Sequence, residues 1–271
     1  MKRFVANARM YAVAPSAEAA WRSVLAHVAS EAEVGLDYLP YPAPQPLENL
    51  WRRGDLGAVQ MCGYPIALQI ADVVPLAAPI PSLAWATGRA AYRSDFIVRD
   101  DSPARTLADT FGGRLGWTVA HSHSGFNAPR RHLLRYRTDA RPRLYRQSVG
   151  DLVTARRILD SVVDGSIDVG PLDGYWHALV AKHVPDLARR VRVVESTELA
   201  PIPAFVASPD LPAASAQRLR QAFAAAGSRP WFAELGAALL LAGFAAVDRD
   251  DFAPTLRWDA EAKAAGYAVP G

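Results

Sequence analysis

The sequence predicts a two-lobed α/β protein, and three observations carry that expectation. Short β-type runs alternate with helical patterns almost throughout, as βα units do. The 271 residues give room for two modest α/β lobes, or for one large domain. Extended segments near Ala90–Ser94 and Glu195–Ile202 separate one βα series from the next, which puts two crossovers there. The expected division is residues 1–91 plus 198–271 for one lobe and 92–197 for the other.

In order along the chain, Phe4–Tyr11 reads as the first strand. Glu18–Ala32 follows as a helix, because Trp21, Val24, Leu25 and Val28 fall on one face. Val34–Tyr38 is a strand, the Pro-rich Pro40–Pro46 a loop, Leu47–Arg53 a short helix and Leu56–Met61 a buried strand. Val73–Pro81 is another strand, and Ala90–Arg99 is extended. The second series begins with a short helix over Thr106–Phe111 and a strand over Arg114–Thr118. The turn His121-Ser122-His123-Ser124-Gly125 then leads into a helix, Ala128–Tyr136. Arg143–Ser148, Ile167–Gly170 and Val191–Glu195 read as strands, with helices at Leu152–Val163 and Tyr175–His183 between them. Ala204–Ala207 is extended, and the remainder reads as helical.

Composition narrows the function. Half the residues are apolar and a fifth charged, as in an ordinary globular protein. The formal charge is only +3, and the arginines between Arg130 and Arg146 are spread through a helix and a strand, so no nucleic-acid arm is expected. Cys62 is the only cysteine, which excludes intrachain disulfides and cysteine-rich zinc sites. The longest apolar run, Leu235–Val247, is too short to span a bilayer and reads as a buried helix. The basic N-terminus, Met1–Asn7, has no following apolar stretch or cleavage site, so as written the chain is expected to lack an export signal and to be cytoplasmic. No phosphate-binding loop or dinucleotide fingerprint is present, and no cofactor is expected.

The middle of the chain resembles a known family. Tyr92-Arg93-Ser94, Asp101-Ser102, Leu107-Ala108-Asp109-Thr110-Phe111-Gly112 and Ser122-His123-Ser124-Gly125 follow one another in the order and spacing of the phosphate/phosphonate-type substrate-binding proteins of ABC transporters. Asp173 and Tyr175 in VVDGSIDVGPLDGYWHALV resemble that family's acidic ligand contact, and PIPAFVASPDLP its return crossover. The likeness runs from about Tyr92 to Pro212, with weaker echoes in the first strand and at Gly63-Tyr64. It implies a type II periplasmic-binding fold with the ligand held in a cleft between lobes, and a periplasmic location. One departure is His123, where a small hydroxyl residue is common.

The turn Ser122–Gly125 is the sharpest candidate site. A helix start carries unsatisfied N–H groups and partial positive charge, serine hydroxyls add donors, and Gly125 allows close backbone approach. The plainer reading is that Ser122 or Ser124 is only an N-cap. Asp173 and Tyr175 follow a strand end, where open α/β sheets place ligand groups, although Asp173 also suits a helix cap. Tyr11, Tyr64 and Tyr92 supply aromatic walls with polar tips for a cleft, or buried core rings. His121 and His123, with His177, hint at a metal but lack a matching carboxylate cluster. His123 is expected to orient or donate to the ligand without turnover.

Two functions fit these residues. The first is a binding protein with no chemistry, which captures a small anionic solute such as a phosphonate or phosphate. It would be monomeric and partnered by an ABC transporter permease. The second is a cytoplasmic enzyme on the same scaffold, similar to menaquinone-pathway enzymes or thiamine-pyrimidine synthases. The histidines favour this second reading, and the lack of a coherent acid/base set disfavours it.

Overall fold

A computed structural model describes residues 3–271; Met1 and Lys2, the start of the basic N-terminus, lie outside the described residues. The chain divides into two compact units, one running up to Tyr92 and resuming over Pro201–Ala253, the other made of Arg93–Ala200 and Pro254–Gly271.

In the first unit the chain runs through β1 (Phe4–Asn7), α1 (Pro15–Glu31), β2 (Leu36–Tyr38), α2 (Leu47–Trp51), β3 (Leu56–Met61), α3 (Gly63–Leu68), β4 (Val74–Pro81) and β5 (Ala91–Tyr92). The second unit begins with β6 (Ser94–Arg99), β7 (Arg114–Gly116), α4 (Ala128–Leu133), β8 (Gln147–Val149) and α5 (Ala155–Val163). It continues with β9 (Gly170–Asp173), α6 (Gly174–His183), α7 (Pro185–Ala188) and β10 (Val191–Ser196). After β11 (Ala200–Pro201) the first unit is completed by β12 (Ala204–Ala207), α8 (Ala213–Ala226), α9 (Phe232–Leu239) and β13 (Leu241–Ala246). Finally α10 (Ala253–Ala264) joins the second unit.

The first unit is built on a six-stranded sheet ordered β13-β4-β12-β3-β1-β2. β1 pairs parallel with both β2 and β3, while β12 runs antiparallel to β3 and β4. α1 starts with Pro15 in its first turn, where the missing N–H costs nothing, and buries Trp21, Val24, Leu25 and Val28. Trp21 meets Phe205 edge-on at 5.7 Å, and Phe205 stacks on Phe223 at 5.0 Å, so helix and sheet share an aromatic core.

The second unit contains the antiparallel sheet β10-β6-β9 and the parallel pair β7–β8, with Leu115 bridging in parallel to Val169. Its core includes Phe96, Leu107, Leu115, Leu133, Leu144, Tyr145, Val169 and Tyr267.

Three expectations need correction. Residues 254–271 belong with the second unit, because Tyr267 enters its core and α10 packs on the segment that follows Ser122. The chain therefore passes between units at three points, near 92, 200 and 253. The apolar run Leu235–Val247 is not one helix: α9 stops at Leu240, which adopts a left-handed conformation (φ 53°), and β13 follows. The helix read from Leu152 begins only at Ala155. Asp151 (φ 54°) and Val153 (φ 66°) are left-handed, and Thr154 caps the helix through the Arg157 N–H.

Candidate functional site

Several predicted site residues follow strand ends: Tyr11 and Tyr64 come after the parallel-paired β1 and β3, the turn at Ser122 comes after β7, and Asp173 closes β9, which runs antiparallel to β6. In the first unit β1 leads to Tyr11 and β3 leads to Cys62 and Tyr64. The three predicted tyrosines, Tyr11, Tyr64 and Tyr92, are buried: Tyr11 stacks on Trp21 at 6.5 Å, and the Tyr92 hydroxyl lies 3.8 Å from Cys62 Sγ. Gly63 is required at its position, since a Cβ would come within 2.4 Å of the Phe252 ring.

In the second unit the strand β7 runs on through Trp117 and Thr118 into the predicted turn. Ser122 is extended (φ −75°, ψ 132°), and its Oγ accepts the Gly125 N–H at 3.0 Å, so Ser122 is the N-cap. The helical run that follows opens in a wide π turn, in which the Asn127 N–H donates to the Ser122 carbonyl at 3.0 Å. It then tightens into α4 and a final 3₁₀ turn ending at Tyr136. The sequence left open which serine caps the helix. Ser122 does so, and Ser124 lies half-buried in the first turn.

Gly125 has a packing reason to be glycine. An added Cβ would lie 2.0 Å from Thr118 Oγ1, so the close approach is to the unit's own strand end. The Thr118 N–H also donates to the Gly125 carbonyl at 3.2 Å. Thr118 was not foreseen as a site residue; a threonine four residues before a Ser-x-Ser-Gly turn carries no sequence signal of its own.

His123 is buried, with its ring 5.2 Å from that of Trp258 and its Nδ1 3.2 Å from the Asn127 amide nitrogen. Burial pushes its pKa down to about 3, so the imidazole is neutral across the physiological range. Its contacts to the α10 tryptophan and to Asn127 are those of a packed interior ring.

Asp173 ends β9 and caps α6, accepting the N–H groups of Tyr175 at 2.9 Å and Trp176 at 3.0 Å. Tyr175 is fully buried, and burial followed by the Asp173 charge raises its pKa well above the ordinary value. His177 turns to Asp95, with Nδ1 3.5 Å from Oδ2. Burial alone would raise the Asp95 carboxyl, but hydrogen bonds from His177 and Ser196 and the Arg93 charge hold it below the usual range. Among the described residues no group of three or more His, Cys, Asp or Glu side chains is arranged to hold a metal.

Residues 12–252 match the family model described as the periplasmic substrate-binding protein of phosphonate ABC transporters. The chain belongs to that family. Its members are transporter binding proteins that take small anionic ligands, so the alternative of a cytoplasmic enzyme is set aside.

Solved structures show the same two-lobed periplasmic-binding fold. A binding-protein component of an ABC phosphonate transporter from Pseudomonas aeruginosa aligns with TM-score 0.79 and 17% identity, covering 98% of this chain and 88% of that one. PhnD1 from Prochlorococcus marinus, solved with methylphosphonate, aligns with TM-score 0.78 and 13% identity over 97% and 98% of the two chains. A Xanthomonas citri protein bound to ATP aligns with TM-score 0.66 and 21% identity over 98% of each chain. Among curated protein sequences none matches.

Proposed function

We propose that this phosphonate-family binding protein captures a phosphonate or closely related phosphorus oxyanion in the periplasm and delivers it, as a monomer, to an ABC transporter permease. The observation that carries the reading is the turn at Ser122. A helical run starts there with its cap supplied by Ser122, whose Oγ accepts the Gly125 N–H, and Ser124 stands half-buried in the first turn. Such a start favours a compact anion through aligned N–H groups and the helix dipole. The methylphosphonate bound to the Prochlorococcus marinus protein supports the choice of phosphonate.

Within this proposal Ser124, through its hydroxyl and backbone N–H, takes the anionic head at the turn Ser122–Gly125. His123 holds the turn from its buried side instead of touching the ligand, which revises its expected role. Asp173 and Tyr175 of the same unit are proposed as further contacts.

The test is calorimetric titration with methylphosphonate, phosphate and ATP. Ser124→Ala should weaken methylphosphonate binding by about 1–3 kcal/mol, the scale of a hydrogen bond to a charged group. Ser122→Ala should cost about 1 kcal/mol of stability through the lost cap. Wild-type protein that binds none of these anions, or Ser124→Ala with unchanged affinity, would overturn the proposal.

A further inference from the structure

The π turn that opens the helix at Ser122 is a rare geometry and needs holding in place. What holds it comes from a distant part of the sequence. The Asn127 carboxamide donates from Nδ2 to the Thr255 carbonyl at 2.8 Å and to His123 Nδ1 at 3.2 Å. Its Oδ1 accepts Arg130 Nη2 at 3.2 Å. Arg130 in turn donates to Asp259 through Nη2 and to the Ala268 carbonyl through Nη1 at 2.9 Å, and its guanidinium lies 4.9 Å from the Phe126 ring centroid. Asn127, Arg130 and Asp259 are all buried.

The donors and acceptors in this network leave little choice. Arginine only donates, so the Asn127 oxygen must face Arg130 and its NH₂ must face Thr255 and His123. The His123 Nδ1 is therefore an acceptor, and the ring proton sits on Nε2. Two residues of the turn, His123 and Asn127, are thereby fixed against α10.

We infer that Asn127, Arg130 and Asp259 are positioning residues for oxyanion binding, setting the π register of the turn and so the direction of its first N–H groups. The inference rests on the reading of that turn as the anion site. Releasing Asp259 frees Arg130, then the Asn127 carboxamide, and lets the turn relax toward ordinary α spacing. That rotates the Ser124 N–H away from a bound oxyanion.

The experiment uses the full chain with Asp259→Asn, which keeps the shape and removes the charge. Methylphosphonate affinity should fall about tenfold, a change of 1.4 kcal/mol. In a Ser124→Ala background the same substitution should change affinity less than about twofold, because both act through one turn. The backbone amide resonances of Ser124 and Gly125 should shift in the ligand-free variant. Should Asp259→Asn fail to fold, Arg130→Lys takes its place, since an ammonium cannot serve Asn127, Asp259 and Ala268 together.

A lowered melting temperature with wild-type affinity and unmoved Ser124 and Gly125 resonances would mean a merely structural network and overturn the inference. Effects that add fully in the double variant would also overturn it. If the wild type binds no oxyanion, the reading of the site fails separately, and the ligand-free resonances still decide whether Asp259 sets the turn.

Discussion

Gly125→Ala asks how tightly the turn at Ser122 is seated on its own strand. The new Cβ would stand 2.0 Å from Thr118 Oγ1, 2.8 Å from Cγ2 and 2.9 Å from Cβ. Rotating the threonine side chain moves the first two atoms but not the third, so the backbone must shift. Both sides resist that shift, because Thr118 N–H donates to the Gly125 carbonyl and Gly125 N–H donates to Ser122 Oγ. Overpacking of this kind costs up to about 3 kcal/mol, offset by roughly 1 kcal/mol from replacing glycine in a helical segment, for a net loss of about 2 kcal/mol. Thr118→Ala removes the two closest atoms, so Gly125→Ala in that background should cost ~1 kcal/mol or less, a coupling of at least ~1 kcal/mol. Urea unfolding followed by tryptophan fluorescence measures all four proteins of the cycle. A Gly125→Ala protein as stable as wild type, or losses that simply add, would refute the assigned contact.

Two other predictions concern stability. His123 has a folded-state pKa of about 3 against an ordinary 6.5, so the unfolded chain takes up its proton first as pH falls. Its contribution is whole above pH 6.5 and is lost progressively as pH drops from about 6.5 toward 3. His123→Gln should flatten that part of the stability–pH curve, and an unchanged slope would count against the buried neutral ring. Val153 is β-branched, exposed and held at φ 66°, so Val153→Gly should raise stability by about 1 kcal/mol, and a loss on urea unfolding would contradict the strain.

How much of this was legible in the sequence depended on the range of the interactions involved. β3, β4 and β12 could be read nearly to the residue, since Leu56–Met61, Val74–Pro81 and Ala204–Ala207 are apolar runs bounded by turn residues. The helix start at Ser122 was visible as a motif, but its π register was not, because that register is held by Asn127 reaching Thr255. α9 and β13 merged into one expected helix because no glycine or proline marks the break at Leu240. The start of α5 was misplaced for a similar reason: Val153 turns left-handed where a β-branched side chain gives no warning. Tyr11, Tyr64 and Tyr92 were legible as a strand end, a Gly-led turn and a crossover, yet burial and partners such as Cys62 for Tyr92 depend on tertiary packing.

The docking of residues 254–271 has a consequence for biosynthesis. The second unit begins at Arg93, yet Tyr267, which packs into its core, is translated after the whole of Pro201–Ala253. On a ribosome the first unit can therefore close while the second, although begun earlier than Pro201, still waits for a helix and a tyrosine. Until those emerge, Leu144 and Tyr145 lack the Tyr267 ring and Arg130 lacks Asp259. A released chain truncated after Ala253 should accordingly present a protease-resistant first unit joined to an open second one.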